Sequence, residues 1–275
     1  MKKVMFVIFF IAFVNTGSYS QVSQAYIAGV DGDDAVYWLN EQRTVLPKIG
    51  EKAGAFAIAV SGSNVYITGW DGNDYSYDGN AVYWLNGQQT VLPKIGNFAL
   101  ASAINISGSN IYIVGWDGDD AVYWLNGQRM ILPKTGRVAR ASAIAVSDSN
   151  VYIAGWDGSD DYSNDADAVY WLNGQQTVLP KKENFAFASV IAVSGSNAYI
   201  AGCDGNHAVY WLNGQRIVLP ETRSYSFVYA IAVSSSNIYI AGCDGNDSVY
   251  WFNGQRIVLP KAGNNAFVYA IALTQ

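Results

Sequence analysis

Apolar and polar residues alternate through short runs along most of the chain. Between residues 111 and 147 these runs read IYIVGW, AVYWLNG, RMILP and SAIAVS. Alternation over so few residues predicts β-strands. Asp-Gly and Asn-Gly pairs and the sequence SDSN separate the runs, and such pairs are typical of tight antiparallel hairpins. Because no helical periodicity interrupts the runs, we predict an all-β protein.

The four-strand pattern recurs along the chain. Its xYI tyrosines lie at intervals of 40, 46, 40, 47 and 40 residues, so a 40-residue unit carries insertions of six and seven in two copies. Four antiparallel strands repeated at about 40 residues are typical of β-propeller blades. Six copies predict a six-bladed β-propeller. The marker residues are Tyr26, Tyr66, Tyr112, Tyr152, Tyr199 and Tyr239.

Side-chain size predicts the strand order within a blade. The Ala- and Ser-rich run (SAIAVS) suits the crowded axis and becomes strand A. The runs VYIAGW and AVYWLNG become strands B and C, with tryptophans such as Trp124 filling the space between blades. The run that ends in Leu-Pro becomes strand D, because proline cannot donate a ladder hydrogen bond and so belongs at an outer edge. Its prolines are Pro47, Pro93, Pro133, Pro180, Pro220 and Pro260.

The two ends of the chain complement each other. The repeats begin with a B strand at Tyr26 and end with an A-type run, VYAIALTQ. We therefore predict that residues 268–274 pair with residues 25–30, complete the first blade and close the ring. Residues 21–275 would then form a single domain.

The first 20 residues have the pattern of a secretory signal peptide. Two lysines precede an apolar run from Val4 to Val14, and Ser18 and Ser20 are suitably small for cleavage before Gln21. The apolar run is too short to span a bilayer stably. We expect a secreted or periplasmic protein, without a transmembrane segment.

Composition and charge restrict the classes of partner that we expect. Apolar residues make up 51% of the chain, charged residues make up 14%, and the formal net charge is −6. Such a chain can bury a core. Its acidic balance argues against nucleic acid as a partner. We expect a monomer.

The two cysteines, Cys203 and Cys243, occupy the position that Trp70, Trp116 and Trp156 hold in other repeats. Secretion would permit a disulfide. However, equivalent residues of stacked sheets point the same way from sheets roughly 10 Å apart, beyond disulfide reach. We therefore predict two buried thiols.

Variation between repeats is concentrated on one face of the predicted propeller. The A–B and C–D turns are nearly uniform, whereas the D–A connections differ in sequence and both insertions fall in B–C loops. This pattern predicts a binding face, although drift in exposed loops is the alternative. Aromatic and arginine side chains suit a glycan or a protein partner. The candidates are Phe98, Arg137, Arg140, Phe185, Arg223, Tyr225, Tyr229 and Tyr269.

The two insertions contain an acidic phrase, DYSYD and DYSND. Oxygen side chains at alternate positions resemble the start of a calcium loop, but a later acidic ligand is missing from the first copy. Solvated acidic turns are the alternative to calcium, and no other cofactor is indicated. The candidate metal residues are Asp74, Ser76, Asp78, Asp161, Ser163 and Asp165. The recurring D-G-x-D turns, as at 117–120, are interpreted as strand caps.

Signals of catalysis are scarce. The sequence holds one histidine, His207, in a predicted B–C turn where other copies have Asp or Asn. A single histidine makes a His-rich zinc site or a Ser-His-Asp triad a poor fit, so no catalytic residue is assigned. A structural scaffold, or a hydrolase or lyase with a site at the channel mouth, are the alternatives to a binding module.

The motifs AIAVSGSNVYITGW and AVYWLNG resemble the repeats of secreted bacterial β-propeller proteins. The family of seven-bladed "beta-propeller repeat" proteins carries a similar phrase, IAVDxxGNVYVTG. The resemblance covers nearly all of residues 21–275 but rests on structural motifs, and this chain departs from it in its six copies and its VYWLNG hairpins. It implies a secreted propeller and transfers no catalytic residue.

Overall fold

The computed structural model describes residues 11–12, 24–74, 78–160, 165–234, 236–261, 268–271 and 273. Within them the chain is all-β and forms six antiparallel sheets of four strands each, which confirms the predicted class and repeat. The chain divides into two compact units. Unit 1 comprises Met1–Gly118 and Tyr123–Met130, and unit 2 comprises Asp119–Val122 and Ile131–Gln275.

The strands of each sheet follow chain order, as the repeat predicted. The first three sheets are β1 (Ile11–Ala12), β2 (Tyr26–Asp31), β3 (Asp34–Leu39), β4 (Gln42–Val45); β5 (Lys52–Ser61), β6 (Asn64–Asp74), β7 (Asp78–Leu85), β8 (Gln88–Val91); and β9 (Ala99–Ser107), β10 (Asn110–Asp117), β11 (Asp120–Leu125), β12 (Gln128–Ile131). The other three are β13 (Val138–Ser147), β14 (Asn150–Gly158), β15 (Asp167–Leu172), β16 (Gln175–Val178); β17 (Ala186–Ser194), β18 (Asn197–Asp204), β19 (His207–Leu212), β20 (Gln215–Val218); and β21 (Ser226–Ser234), β22 (Asn237–Asp244), β23 (Asp247–Phe252), β24 (Gln255–Val258).

Turn chemistry fixes the hairpins. In the turn between β11 and β12, Asn126 and Gly127 have φ angles of 51° and 83°. Two successive positive φ angles define the type I′ turn, whose twist matches that of the flanking strands. Gly115 is required for another reason. A Cβ there would lie 1.8 Å from the carbonyl oxygen of Leu100 on β9, so only glycine permits this close approach of the two strands.

The core lies between consecutive sheets. In unit 1, Trp84 on β7 packs with Ala28 and Leu46 of the first sheet, and in unit 2, Trp211 on β19 packs with Ala154 and Leu179 of the fourth. Both tryptophans are fully buried. This placement confirms that strand C tryptophans fill the space between sheets.

Each of these tryptophans also donates a hydrogen bond to the preceding repeat. The indole Nε1 of Trp211 lies 2.8 Å from the carbonyl oxygen of Pro180, and Trp124 contacts Pro93 in the same way at 2.9 Å. The prolines lie two residues beyond the ends of the D strands rather than within them. The prediction that proline sits in the edge strand was therefore wrong in detail, and its carbonyl is the group that bonds to the next repeat.

A buried aspartate at the end of each B strand from the second sheet onward links one repeat to the next. In unit 2, Asp244 accepts hydrogen bonds from the backbone N–H groups of Thr222 and Arg223, at 2.8 and 2.9 Å, in the loop after β20. The five aspartates are at most 3% exposed, namely Asp71, Asp117, Asp157, Asp204 and Asp244. Their interpretation as strand caps was wrong, because the carboxylates hold the loop of the preceding repeat.

An Arg or Gln side chain from strand D of the same sheet also donates to these carboxylates. Arg129 on β12 lies 2.7 Å from Asp117, and Gln176 on β16 donates to Asp157 at 2.9 Å. Burying a carboxylate is costly unless it is fully hydrogen-bonded. The Arg or Gln, together with two backbone N–H groups, supplies those bonds.

The ring-closing prediction concerned residues 268–274, of which 272 and 274 lie outside the described residues. The described residues 268–271 and 273 form no strand. The position beside β2 is taken instead by β1, with Ile11 opposite Ile27 and Ala12 opposite Tyr26. The first sheet is therefore completed in this structure by a segment of the predicted signal peptide.

We predict that Asp157→Asn destabilises the protein by about 1–3 kcal/mol, because an amide has one oxygen where the carboxylate offers two to buried donors. Urea unfolding at neutral pH measures this. Asp148→Asn, in an exposed A–B turn, is the matched control. Equal losses in the two variants would contradict the assigned role of Asp157.

Acid should weaken the same interaction. Burial raises the pKa of Asp157, but the hydrogen bonds from Thr135, Gln176 and Gly136 outweigh burial and leave the pKa below its usual value. A carboxyl whose pKa is lower in the folded state stabilises the fold at neutral pH, and that stabilisation is lost as pH falls through this pKa. The unfolding free energy of the parent should fall more steeply below pH 4 than that of Asp157→Asn. Parallel curves would contradict this.

Candidate functional site

A cleft of about 680 Å³ opens in unit 2 among the loops of the fourth, fifth and sixth repeats. Its walls are the loop after β16, the turn between β18 and β19, and the loop after β20. These are D–A and B–C connections, the two classes of loop that the sequence predicted to bind. The lining residues are Glu183, Asn184, Phe185, Gly205, Asn206, His207, Glu221, Thr222, Arg223 and Ser224.

His207 and Glu221 form a pair at the cleft. His207 begins β19 rather than lying in the turn, and its Nδ1 is 2.5 Å from Oε1 of Glu221. The side chains are 41% and 19% exposed. Within the described chain, the other carboxylate oxygen of Glu221, Oε2, is buried and has no hydrogen-bond partner. A buried acceptor without a partner is rare and calls for an explanation.

The cleft floor is held rigidly. The buried carboxylates of Asp204 and Asp244 accept hydrogen bonds from the backbone of Glu183 and Arg223, at 2.9 Å each. Burial raises the pKa of Asp244, but bonds from Thr222 and Ser226 and the charge of Arg256 bring it below the usual value. The two loops that carry Glu183, Glu221 and Arg223 are thus fixed by buried carboxylates.

Two of the eight predicted ligand residues line the cleft, Phe185 and Arg223. Tyr225 follows shortly after Arg223 and is 59% exposed. The lining includes two carboxylates, a guanidinium, an imidazole and one aromatic ring. Such a surface can bind polar and charged groups, and the ring can cover an aliphatic or sugar face.

A row of aromatic side chains leads away from Phe185. Its ring centroid is 5.5 Å from that of Phe187, which in turn lies 5.5 Å from Trp156 in an edge-to-face arrangement. Arg140 stacks over Trp156, with its guanidinium carbon 5.9 Å from the ring centroid. Arg140 is 8% exposed, so its cation–π contact is an internal one.

The other predicted ligand residues lie elsewhere. Tyr229 and Tyr269 pack together with their ring centroids 5.5 Å apart. Phe98 covers Trp70 in unit 1, with ring centroids 6.0 Å apart. Arg137 is exposed and donates from Nε to the carbonyl oxygen of Ser159 at 3.0 Å. These four residues make local packing or loop contacts, and their role as ligand residues stays a prediction.

The calcium hypothesis remains a prediction. Ser76, Asp161 and Ser163 lie outside the described residues, as does the side chain of Asp74. Asp165 accepts a hydrogen bond from the Ser159 hydroxyl at 3.0 Å. Among the described residues no cluster of three or more His, Cys, Asp or Glu side chains could hold a metal ion.

The cysteines are free and buried. Each faces a phenylalanine across the A–B strand pair, with Cys203 opposite Phe187 and Cys243 opposite Phe227. In the fourth sheet the same pair is Trp156 opposite Arg140. A small residue on strand B therefore accompanies a phenylalanine on strand A, which explains the change from tryptophan to cysteine by volume.

Burial raises the pKa of Cys203 to about 12. Since the thiolate is the reactive form and Cys243 is only 4% exposed, we predict that neither thiol reacts with Ellman's reagent at pH 8 in the folded protein. Both should react in guanidinium chloride. Rapid reaction of either thiol in the folded protein would contradict the placement.

The part that sequence reasoning missed is the His207–Glu221 pair. A signal was present, since five repeats have Lys after the proline and the fifth has Glu221. The neighbouring change to histidine, 14 residues earlier, was interpreted separately as a turn residue. Comparing both positions together would have indicated that the two residues change as a pair.

The fold resembles several solved structures. A computationally designed protein, Ika8, is 16% identical, covers 94% of this chain and 77% of its own, and has a TM-score of 0.57. A nidogen/laminin complex chain is 14% identical, with 89% and 96% coverage and a TM-score of 0.52. The extracellular domain of the putative one-component system BT4673 from B. thetaiotaomicron is 7% identical, with 98% and 36% coverage and a TM-score of 0.61. At these identities the likeness indicates the fold alone.

These neighbours and the repeated four-stranded sheets suggest a repeat fold like that of β-propellers. No protein-family model matches the chain, and no curated protein matches it. Among the described residues, no helix is sufficiently long and apolar to cross a membrane.

Proposed function

We propose that this chain is a secreted six-bladed β-propeller that acts as a binding module, with its ligand site in the cleft at the fifth repeat. The partner is a glycan or another protein. The observation that carries the proposal is the cleft itself, which lies among D–A and B–C loops and brings Phe185, Arg223, His207 and Glu221 together. Buried aspartates hold its walls, so a ligand would meet a preformed surface and lose little binding energy to ordering.

The location is supported by a second argument. The extracellular BT4673 domain has a similar fold, and a nidogen chain or its partner does so within a complex of two proteins. These likenesses make an extracellular interaction module a reasonable function for this fold. The predicted signal peptide points the same way.

Ring closure is part of the proposal. We propose that, after removal of the signal peptide, residues 268–274 take the position that β1 occupies beside β2. The pairing of a phenylalanine on strand A with a smaller residue on strand B favours this. In the same register, Phe267 of the terminal A-type run would lie opposite Val30 of β2, as Phe187 lies opposite Cys203. Asp31, which pairs with Arg43 at 2.7 Å, is 55% exposed, unlike its buried counterparts. Closure would bury it.

Deleting residues 268–275 from the chain that begins at Gln21 should lower the melting temperature by ~5–10 °C, because a whole edge strand is lost. Circular dichroism measures this, and deletion of Gln275 alone is the control. If the eight-residue truncation melts like its parent, the C-terminal strand does not close the ring.

The binding site is tested by screening the protein on a glycan array and against extracellular proteins. Binding should be lost in a Phe185→Ala/Arg223→Ala double variant that melts like the parent. Gln215→Ala, at the exposed start of β20 and so at the opposite end of β19, should bind normally. Ligands that bind the parent and the double variant equally would place the site elsewhere, and no ligand at all would favour a scaffold.

A further inference from the structure

Five of the six repeats carry a lysine after the proline, and in the first, third and fourth repeats the described contacts enclose its Nζ in a cage of the same three acceptors. In the first repeat, Lys48 Nζ donates to the carbonyl oxygens of Asp33 and Glu51, at 3.0 and 2.6 Å, and lies 2.7 Å from the Asp34 carboxylate. One acceptor belongs to the B–C turn, one to the D–A loop and one to the start of strand C. Three acceptors match the three N–H donors of an ammonium group.

The cage recurs with similar geometry. In unit 2, Lys134 contacts the carbonyl oxygens of Asp119 and Arg137 and the Asp120 carboxylate, at 2.8, 2.5 and 2.7 Å. Lys181 repeats the arrangement with carbonyl bonds of 3.0 and 2.7 Å and a 2.7 Å ion pair to Asp167. The cage is therefore a property of the repeat backbone.

In the fifth repeat both members of the pair differ. Glu221 stands at the lysine position and His207 at the aspartate position, with the same separation of 14 residues that joins Lys134 to Asp120. The backbone acceptors that correspond to those around Lys134 are the carbonyls of Asn206 and Ser224. Both residues line the cleft. The Asn206 carbonyl accepts the N–H of Ser226 at 2.9 Å, as the Asp119 carbonyl accepts that of Ala139 at 3.0 Å.

The fifth repeat thus keeps the acceptors of a lysine cage and adds a carboxylate where the lysine would be. Glu221 Oε1 is taken by His207, whereas Oε2 is buried without a partner in the described chain. Arg223 is the nearby competing cation. Lys261, and to a smaller extent Arg223, lower the pKa of Asp247, so Arg223 also interacts with a carboxylate of the sixth repeat. The cleft keeps Glu183 and Glu221 as its carboxylates.

We infer that this cleft binds a primary ammonium group, supplied by a lysine side chain of a partner protein. The lysine would enter the fifth repeat in trans and replace the internal lysine of the other five. Glu221 Oε2 and the carbonyls of Asn206 and Ser224 would accept its three hydrogen bonds, and Phe185 would contact the aliphatic stem. Ca²⁺ or Mg²⁺ fits less well, because each takes six or more oxygen ligands, and among the described residues no cluster of three or more His, Cys, Asp or Glu side chains could hold a metal ion.

The inference rests on the proposed function and names the ligand group of that site. Its test uses Nα-acetyl-lysine methylamide as the probe, with its Nε-acetylated form and glucosamine as comparators. NMR titration of the folded protein should show saturable shifts with the lysine probe. The acetylated probe should bind at least about tenfold more weakly, because a charge-assisted hydrogen bond is lost.

Two variants isolate the site. Glu221→Gln keeps the shape of the side chain and should weaken binding of the lysine probe about tenfold or more. The double variant His207→Asp/Glu221→Lys restores the Lys–Asp pair of four other repeats. It should fold, melt ~2–4 °C higher than the parent, and bind no probe, since its own lysine fills the cage.

The inference is overturned if the parent binds none of the probes, if the double variant binds as the parent does, or if glucosamine binds more tightly than the lysine probe. The titration uses small probes, so its result does not depend on finding the partner protein. If the protein binds the lysine probe but captures no glycan or protein, the ammonium site stands and the proposed function is contradicted. If it captures a glycan or protein but does not bind the lysine probe, the proposed function stands and the ammonium site is contradicted.

Discussion

The structure depends on one interaction, the hydrogen bonds from loop N–H groups to a buried aspartate of the next repeat. In unit 2, Asp157, Asp204 and Asp244 each accept two such bonds. A sheet with two apolar faces can slide on its neighbour, because hydrophobic packing has no direction. A carboxylate with two fixed donors sets the register between repeats, and the Trp–Pro hydrogen bond adds a second fixed point. The loops on the variable face are therefore positioned by the core.

Much of this fold could be predicted from the sequence, since its signals are local. Alternating runs and Asn-Gly turns define the strands, and the 40-residue interval defines the sheets. The role of Asp117 was not predictable in the same way. Asp-Gly is a normal turn pair, and only the structure shows that Arg129, 12 residues later, returns to the same carboxylate. The completion of the first sheet also depends on contacts between distant segments, which no local pattern fixes.

The sequence predicted part of the candidate site, namely the classes of loop that line the cleft and two of its residues. Phe185 and Arg223 were identified as aromatic and arginine residues on variable loops, and both line the cleft. The same criterion also selected Arg140 and Phe98, because sequence cannot distinguish a ring that packs on Trp70 from one that faces a ligand. His207 and Glu221 were missed because each was weighed alone. Their meaning lies in the difference between the fifth repeat and the other five.

A single idea connects scaffold and function. Repeated backbones present similar lysine cages, so a change of side chain in one copy can turn a structural position into a binding position. The most direct measurement is the crystal structure of the protein soaked with Nα-acetyl-lysine methylamide. The account predicts an ammonium nitrogen within hydrogen-bonding distance of Glu221 Oε2 and the carbonyl oxygens of Asn206 and Ser224. An ammonium bound away from these atoms, or a Glu221 carboxylate that keeps the same contacts in the soaked crystal, would contradict it.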